Sequence, residues 1–285
     1  MNGFVFSSIL VAALMHAGWN ILLKSGSDKT LEIAIANFIA ALLALLLLFD
    51  YGLPEQESFL YIFLSVALHL IYFLLVATAY RFGDLNLAYP IMRGMAPILT
   101  LLFGLIFLHE YISNSVAIGI FLVSAGVILL GLRITNSSGN HSKALIFALT
   151  NSFVIALYTL VDGYGVRLNN NAWSYVGLLM FLHGCTFLLL VLWQRYHQGL
   201  FYESLAYLRK RWLFPIIGGG CIIGSYSIAL WAMTQIPISL VAALRETSVL
   251  FAFLFGVFYL KEPLYPQRIL GILGVCLGLV LIRIN

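Results

Sequence analysis

Ten apolar runs, parted by breaks too short to hold a soluble domain, decide what this chain can fold into. They are Phe4–Leu23, Leu31–Phe49, Phe59–Tyr80, Asn86–Leu108, Asn114–Leu132, Ala144–Tyr164, Ala172–Trp193, Trp212–Met233, Ile238–Leu260 and Gln267–Ile284. A bilayer core about 30 Å thick is crossed by about 20 apolar residues in a helix. Nothing in lipid can satisfy an open backbone, so each run must bond to itself. No run alternates apolar and polar residues in the manner of a membrane β-strand. The runs predict an all-α membrane protein, one polytopic domain of ten transmembrane helices. Composition agrees: 9% of residues are charged, against about 25% in soluble domains. The N-terminus lacks a basic n-region, so the first run is expected to stay as a helix. Cys185, Cys221 and Cys276 sit inside apolar runs without ligand spacing and read as small buried hydrophobes. No metal or other cofactor is expected. The net charge of +4 comes from short loops beside the membrane, so no nucleic-acid partner is expected.

The fourth and ninth runs are copies. "LAYPIMRGMAPILTLLFGLIFLHE" (Leu87–Glu110) and "SLVAALRETSVLFAFLFGVFYLKE" (Ser239–Glu262) carry an arginine at the same place and end in glutamate after the same interval. At a shift of 152 residues Arg93 meets Arg245, Gly104 meets Gly256 and Glu110 meets Glu262. The register continues to Gly119 with Gly271 and Gly126 with Gly278. Upstream, the first and sixth runs align at a shift near 139, Asn20 opposite Thr159. The expected units are residues 1–133 and 142–285, five helices each. Five is odd, so the second copy must cross the membrane upside down, the inverted-repeat plan of many transporters.

Charge distribution tests this independently. Lys24, Lys29, Arg81, Arg133, Lys143, Arg195, Arg209, Lys210, Arg211, Lys261 and Arg268 fall on one side, and Arg167 and Arg283 on the other. "DYGLPEQES", after the second run, has no basic residue, whereas its counterpart after the seventh has four. By the positive-inside rule the basic side is cytoplasmic and both termini are outside.

Ionisable residues inside a membrane cost a few kcal/mol each on insertion scales and are functional candidates by default. Arg93 and Arg245 each lie roughly 10 Å into their helices at about 1.5 Å per residue. The alternative is that each is tied to a carboxylate only to hold helices together. Pro90 and Pro97 bracket Arg93 and free carbonyls, as in broken helices that line cavities. Tyr89 shares its face. Gly94 of the first copy becomes Glu246 in the second, and this carboxylate could reach Arg93 across the interface, carry a coupling proton, or fix register. Three further polar stripes run at helical spacing: His16, Trp19 and Asn20; Tyr61, Ser65, His69, Tyr72 and Tyr80; Asn151, Tyr158 and Asp162. Facing a common centre, they would line an aqueous cavity. The expected substrate-binding set is Arg93, Arg245, Glu246, Tyr89, His16, Trp19, Asn20, His69, Tyr72 and Tyr158. Glu246, Asp162 and His16 are the proton-coupling candidates. Glu110 and Glu262, at helix ends, are expected to serve the turn to the next helix. The glycine rows suit close helix packing or dimerisation, and for "GGG" at Gly218–Gly220 a tight contact is favoured over a hinge.

With ten spans, a five-helix duplication and glutamate closing the fourth helix of each half, the chain resembles the drug/metabolite transporter superfamily, in the group with two tandem EamA domains. The resemblance covers nearly the whole chain. Family members usually have glycine before that glutamate; here the positions hold His109 and Lys261. The resemblance implies alternating access at a central cavity, and cytoplasmic termini, against the charge distribution. The expected function is secondary transport of a small anionic or zwitterionic metabolite, an amino acid or related carboxylate or phosphonate, across the inner membrane. The expected partners are that substrate, protons as coupling ion, and the bilayer, with the chain as monomer or homodimer. The alternatives are an exporter of drug-like or cationic compounds, or an uncoupled exchanger. No metalloprotease or hydrolase motif is present, so an enzyme is not expected.

Overall fold

The computed structural model describes residues 2–24, 26–82, 85–131, 141–258 and 265–284. These form helices α1 (Gly3–Lys24), α2 (Lys29–Tyr51), α3 (Gln56–Phe82), α4 (Leu85–Phe107), α5 (Asn114–Gly131), α6 (His141–Arg167), α7 (Ala172–His197), α8 (Phe201–Arg211), α9 (Leu213–Gln235), α10 (Ile238–Arg245), α11 (Thr247–Phe258) and α12 (Pro266–Ile284). No strand occurs among the described residues. Ten spans are long and apolar enough to cross a membrane, the ninth being α10 and α11 together. Local signals set several ends. The Asp28 carboxylate accepts from Leu31 N–H (3.2 Å) at the start of α2, and Asn171 does the same for Trp173 N–H (2.8 Å) at α7. Gly52, with φ 75°, closes α2.

Glycine contacts fix the relative sense of the two copies. Along α5 and α12, Gly119 meets Gly278 while Gly126 meets Gly271, so the two helices run antiparallel. Along α2 and α7, Gly184 lies on Asn37 and Ala41, and Gly177 on Ala44 and Leu48, again antiparallel. Each pair joins the same helix of the two copies, so the repeats are inverted. The other contacts are reciprocal, as a pseudo-twofold axis requires: α3 packs on α6 as α1 packs on α9, and α4 pairs with α10. The small-residue rows therefore serve close approach within one chain. Of the triple glycine, Gly219 makes a tight contact, against the Ala36 carbonyl, while Gly220 faces open space.

The outside of the bundle is apolar, with Phe49 89% and Leu74 68% exposed, as suits lipid contact. Trp193 and Trp212 stand exposed at the basic face, and Trp173 stacks on Tyr51 at the opposite one.

Two features depart from the ten-run reading. Between α7 and α9 the chain forms α8, a short amphipathic helix that reads from sequence as a polar connection. Its Tyr207 hydroxyl (2.7 Å) and Arg211 Nε (2.6 Å) both bond Glu32 of α2, and Arg195 pairs with Asp28 at 2.7 Å. Second, the proline-bracketed fourth span is not broken: α4 continues through Pro90 and Pro97, with Pro90 seated where Gly131 has no Cβ. The break falls in the other copy, at Glu246, with no proline. There Glu246 N–H turns to the Ala243 carbonyl (3.1 Å) and the Thr247 hydroxyl takes the Leu244 carbonyl (2.7 Å), drawing donors and acceptors out of the α register.

Candidate functional site

The seam between the copies encloses a cavity of about 120 Å³, far above the ~10–15 Å³ a single water needs. His16, Trp19 and Asn20 enter from α1, Asn37 from α2, and His69, Tyr72 and Phe73 from α3. Tyr89 and Arg93 come from α4, Tyr158 from α6, Met180 and His183 from α7, Ile222, Ser225 and Tyr226 from α9, and Arg245 from the end of α10. The positions come from the helix halves nearest the basic face and from the bundle centre.

The two matched arginines differ in their surroundings. Arg93 is 8% exposed, and its Nη2 lies 2.9 Å from Glu246 Oε1. The carboxylate crosses from the second copy to the first. Arg93 Nε and Glu246 Oε2 have no hydrogen-bond partner among the described residues. Arg245 stands over the Tyr226 ring at 5.4 Å, and no carboxylate lies within ion-pair distance of it among the described residues. Both guanidiniums line this cavity, and both border a smaller void that also touches Glu246. No Asp or Glu among the described residues lines this cavity. One wall is aromatic: Tyr158 lies 4.2 Å from the His69 ring by centroid, and His183 5.1 Å from it.

Of the residues singled out from sequence, nine gather at this cavity: His16, Trp19, Asn20, His69, Tyr72, Tyr89, Arg93, Tyr158 and Arg245. Glu246 is set behind Arg93. Asp162 lies deeper, fully buried, and accepts from the Tyr175 hydroxyl (3.2 Å) and from the Tyr226 hydroxyl. His16 Nδ1 accepts from the Trp19 indole at 3.3 Å. Tyr61 turns away to Tyr164 (5.1 Å), and Asn151 donates to Met92 Sδ (3.3 Å), so both belong to packing. The Tyr80 side chain and Glu262 lie outside the described residues. Sequence reasoning passed over Asn37, His183 and Tyr226. Asn37 and His183 are lone polar residues in the second helix of each copy, helices that the inversion lays against each other. Tyr226 belongs to none of the polar stripes, on a span from which only the triple glycine stands out.

A model of the EamA-like transporter family matches residues 4–132 and 142–284, once in each copy. The chain belongs to the EamA-like transporter family. It is a membrane transporter of the drug/metabolite type with two EamA domains. One matching solved structure, titled only as a crystal structure of a protein, superposes with TM-score 0.70 over 99% of this chain and 96% of its own, at 13% identity. That likeness shows the fold. No curated protein matches the sequence.

Two features of EamA chains gain a physical reason here. His109 has φ 50°, the left-handed region where a Cβ is costly. That is the position where family members usually carry glycine. The turn folds Glu110 back over Gly104 of α4, which has no Cβ to exclude it, and the role of Glu110 is not confined to that turn. Glu110 Oε1 accepts from Ile238 N–H (2.7 Å), its Oε2 from the Ser239 hydroxyl (3.1 Å), and Arg167 pairs with it at 3.2 Å. A carboxylate of the first copy thus caps the N-terminus of α10 in the second. Arg167 also donates to the Met233 (2.7 Å) and Ile236 (3.0 Å) carbonyls, completing a clamp on the face opposite the basic one.

Proposed function

We propose that this EamA-like transporter is a secondary transporter that moves a small anionic or zwitterionic metabolite, an amino acid or related carboxylate or phosphonate, across the inner membrane by alternating access. One observation carries the reading: Arg245 presents a guanidinium to the cavity with no carboxylate paired to it among the described residues. A guanidinium fork binds carboxylates and phosphonates bidentately. Arg93 lends a second positive charge, partly offset by Glu246. His16, Trp19, Asn20, His69, Tyr72, Tyr89 and Tyr158 would supply polar and aromatic contacts, the aromatic faces suiting a substrate ammonium. Export of cationic compounds fits less well, because two guanidiniums line the cavity and no Asp or Glu among the described residues does.

In this reading the basic face is cytoplasmic, the cavity is reached from it, and the Glu110–Arg167 clamp closes the other side. The two halves, residues 1–133 and 142–285, rock about the pseudo-twofold axis to reverse access. The test is a thermal-shift panel of amino acids, dicarboxylates, phosphonates and organic cations on purified protein and on Arg245→Gln. Anions should stabilise the parent and not the variant. Equal stabilisation of both, or stabilisation by cations alone, overturns the reading.

A further inference from the structure

Leading back from the cavity wall, His69, Tyr226 and Asp162 form a chain whose contacts need one more hydrogen than neutral His69, the Tyr226 phenol and an ionised Asp162 supply. His69 Nδ1 lies 2.9 Å from the Ser65 carbonyl oxygen, which only accepts, so Nδ1 carries a hydrogen. Neutral His69 therefore has a bare Nε2. That atom is 3.4 Å from the Tyr226 hydroxyl, whose oxygen also contacts Asp162 Oδ2. Each of these two contacts needs a hydrogen between its atoms, and the phenol has one. The second must come from solution. It sits either on His69 Nε2, with Tyr226 donating to the carboxylate, or on Asp162 Oδ2, with Tyr226 donating to Nε2. The two forms hold the same protons. They interconvert when the hydrogens shift together across the tyrosine oxygen, and no bond between heavy atoms changes.

Charge leads to the same count. Asp162 is fully buried and belongs to no ion pair among the described residues. A buried carboxylate without a compensating charge is strongly unfavourable. One added proton makes the Asp162–His69 pair neutral in either form. The groups facing it are Ser65 and Tyr72 on α3, Tyr158 on α6, Tyr175 and His183 on α7, and Arg245 on α10, of which only Arg245 carries fixed charge. Glu246 is engaged by Arg93, and His16 by Trp19, so neither other candidate has a comparable chain.

We infer that Asp162, Tyr226 and His69 together bind one proton and that this proton is the coupling ion. The inference rests on the transport reading above. Tyr226 links the two events, since its hydroxyl belongs to the proton chain and its ring lies under Arg245, where the substrate anion would bind. An anion arriving at Arg245 removes the nearest fixed positive charge from the field of His69, so substrate and proton occupancy depend on each other.

The test needs no substrate. Protein labelled with ¹⁵N-histidine is titrated from mildly acidic to mildly alkaline pH, with nitrogen shifts read by NMR and carboxyl bands by infrared spectroscopy. The expected result is one proton leaving, with His69 signals and a carboxyl band changing in a single step. Asp162→Asn and Tyr226→Phe, both near-isosteric, should lose the coupled step. If Asp162→Asn does not fold, Tyr226→Phe decides the matter alone, because it keeps both titrating groups and removes only the bridge. A parent protein with no such step, or variants that titrate as the parent does, overturns the proton site. Neither result bears on whether Arg245 binds anions, so the two readings fail separately.

Discussion

Arg93 and Arg245 occupy one position in two copies, yet a single substitution beside them gives the two cations different tasks. Glycine at 94 leaves Arg93 without a neighbouring charge; glutamate at 246 supplies one from the other copy, and Arg245 has no carboxylate at ion-pair distance among the described residues. Removing one member of a buried ion pair costs about 3–5 kcal/mol, because the other charge is left uncompensated. Arg93→Met and Glu246→Leu should each lower thermal stability by that order, and the double variant by clearly less than their sum. Additive losses would show that the pair is not coupled. At His109 the expected effect has the opposite sign. A non-glycine residue in the left-handed region costs about 1–2 kcal/mol, and glycine's added unfolded-state entropy returns about 0.5–1 kcal/mol of that. His109→Gly should therefore raise stability by up to about 1.5 kcal/mol, seen as a higher unfolding temperature. A fall would mean that the imidazole makes a stabilising contact.

Among the elements, the α5–α12 contact depends on the absence of side chains. A Cβ on Gly126 would stand 2.7 Å from the Gly271 carbonyl oxygen, and backbone cannot move aside as a side-chain end can. Gly220 on α9 has nothing within 4 Å of the same position. Alanine gains about 1 kcal/mol over glycine in a helix, while overpacking costs about 1–3 kcal/mol. Gly220→Ala should thus be neutral or stabilising and Gly126→Ala destabilising; unfolding of the two variants side by side checks this. The helices themselves were legible because lipid allows each apolar run a single solution. The α10–α11 break was not. Proline is the visible breaker, yet α4 absorbs two, and the interruption arises from a glutamate whose partner lies on another helix. The helix α8 escaped for a related reason: eleven residues of mixed character look like a loop until Glu32 is known to receive Tyr207 and Arg211.

For the whole molecule, the repeat and its odd helix count gave the inversion from residues alone, and the polar stripes with the two arginine-bearing runs gave nine of the residues on the cavity wall. What stayed hidden were partners on different helices, Glu110 with α10 and Asp162 with Tyr226, together with His183. No spacing within one helix encodes a contact between helices far apart in the chain. The clamp makes a prediction at this scale. In a cysteine-free background, Ser239→Cys should react slowly with a membrane-impermeant thiol reagent added from the clamped face. Adding Glu110→Gln should speed that reaction several-fold, and an unchanged rate would mean that the clamp does not close the face.

The most direct measurement is an isothermal titration of the best anion from the ligand panel against parent protein, Arg245→Gln and Gly220→Ala. A hydrogen bond to a charged group contributes about 1.5–3 kcal/mol, at least about tenfold in affinity. Arg245→Gln should weaken binding by that factor or more while unfolding like the parent, and Gly220→Ala should bind as the parent does. Equal affinity in a folded Arg245→Gln would contradict the claim that this guanidinium receives the substrate.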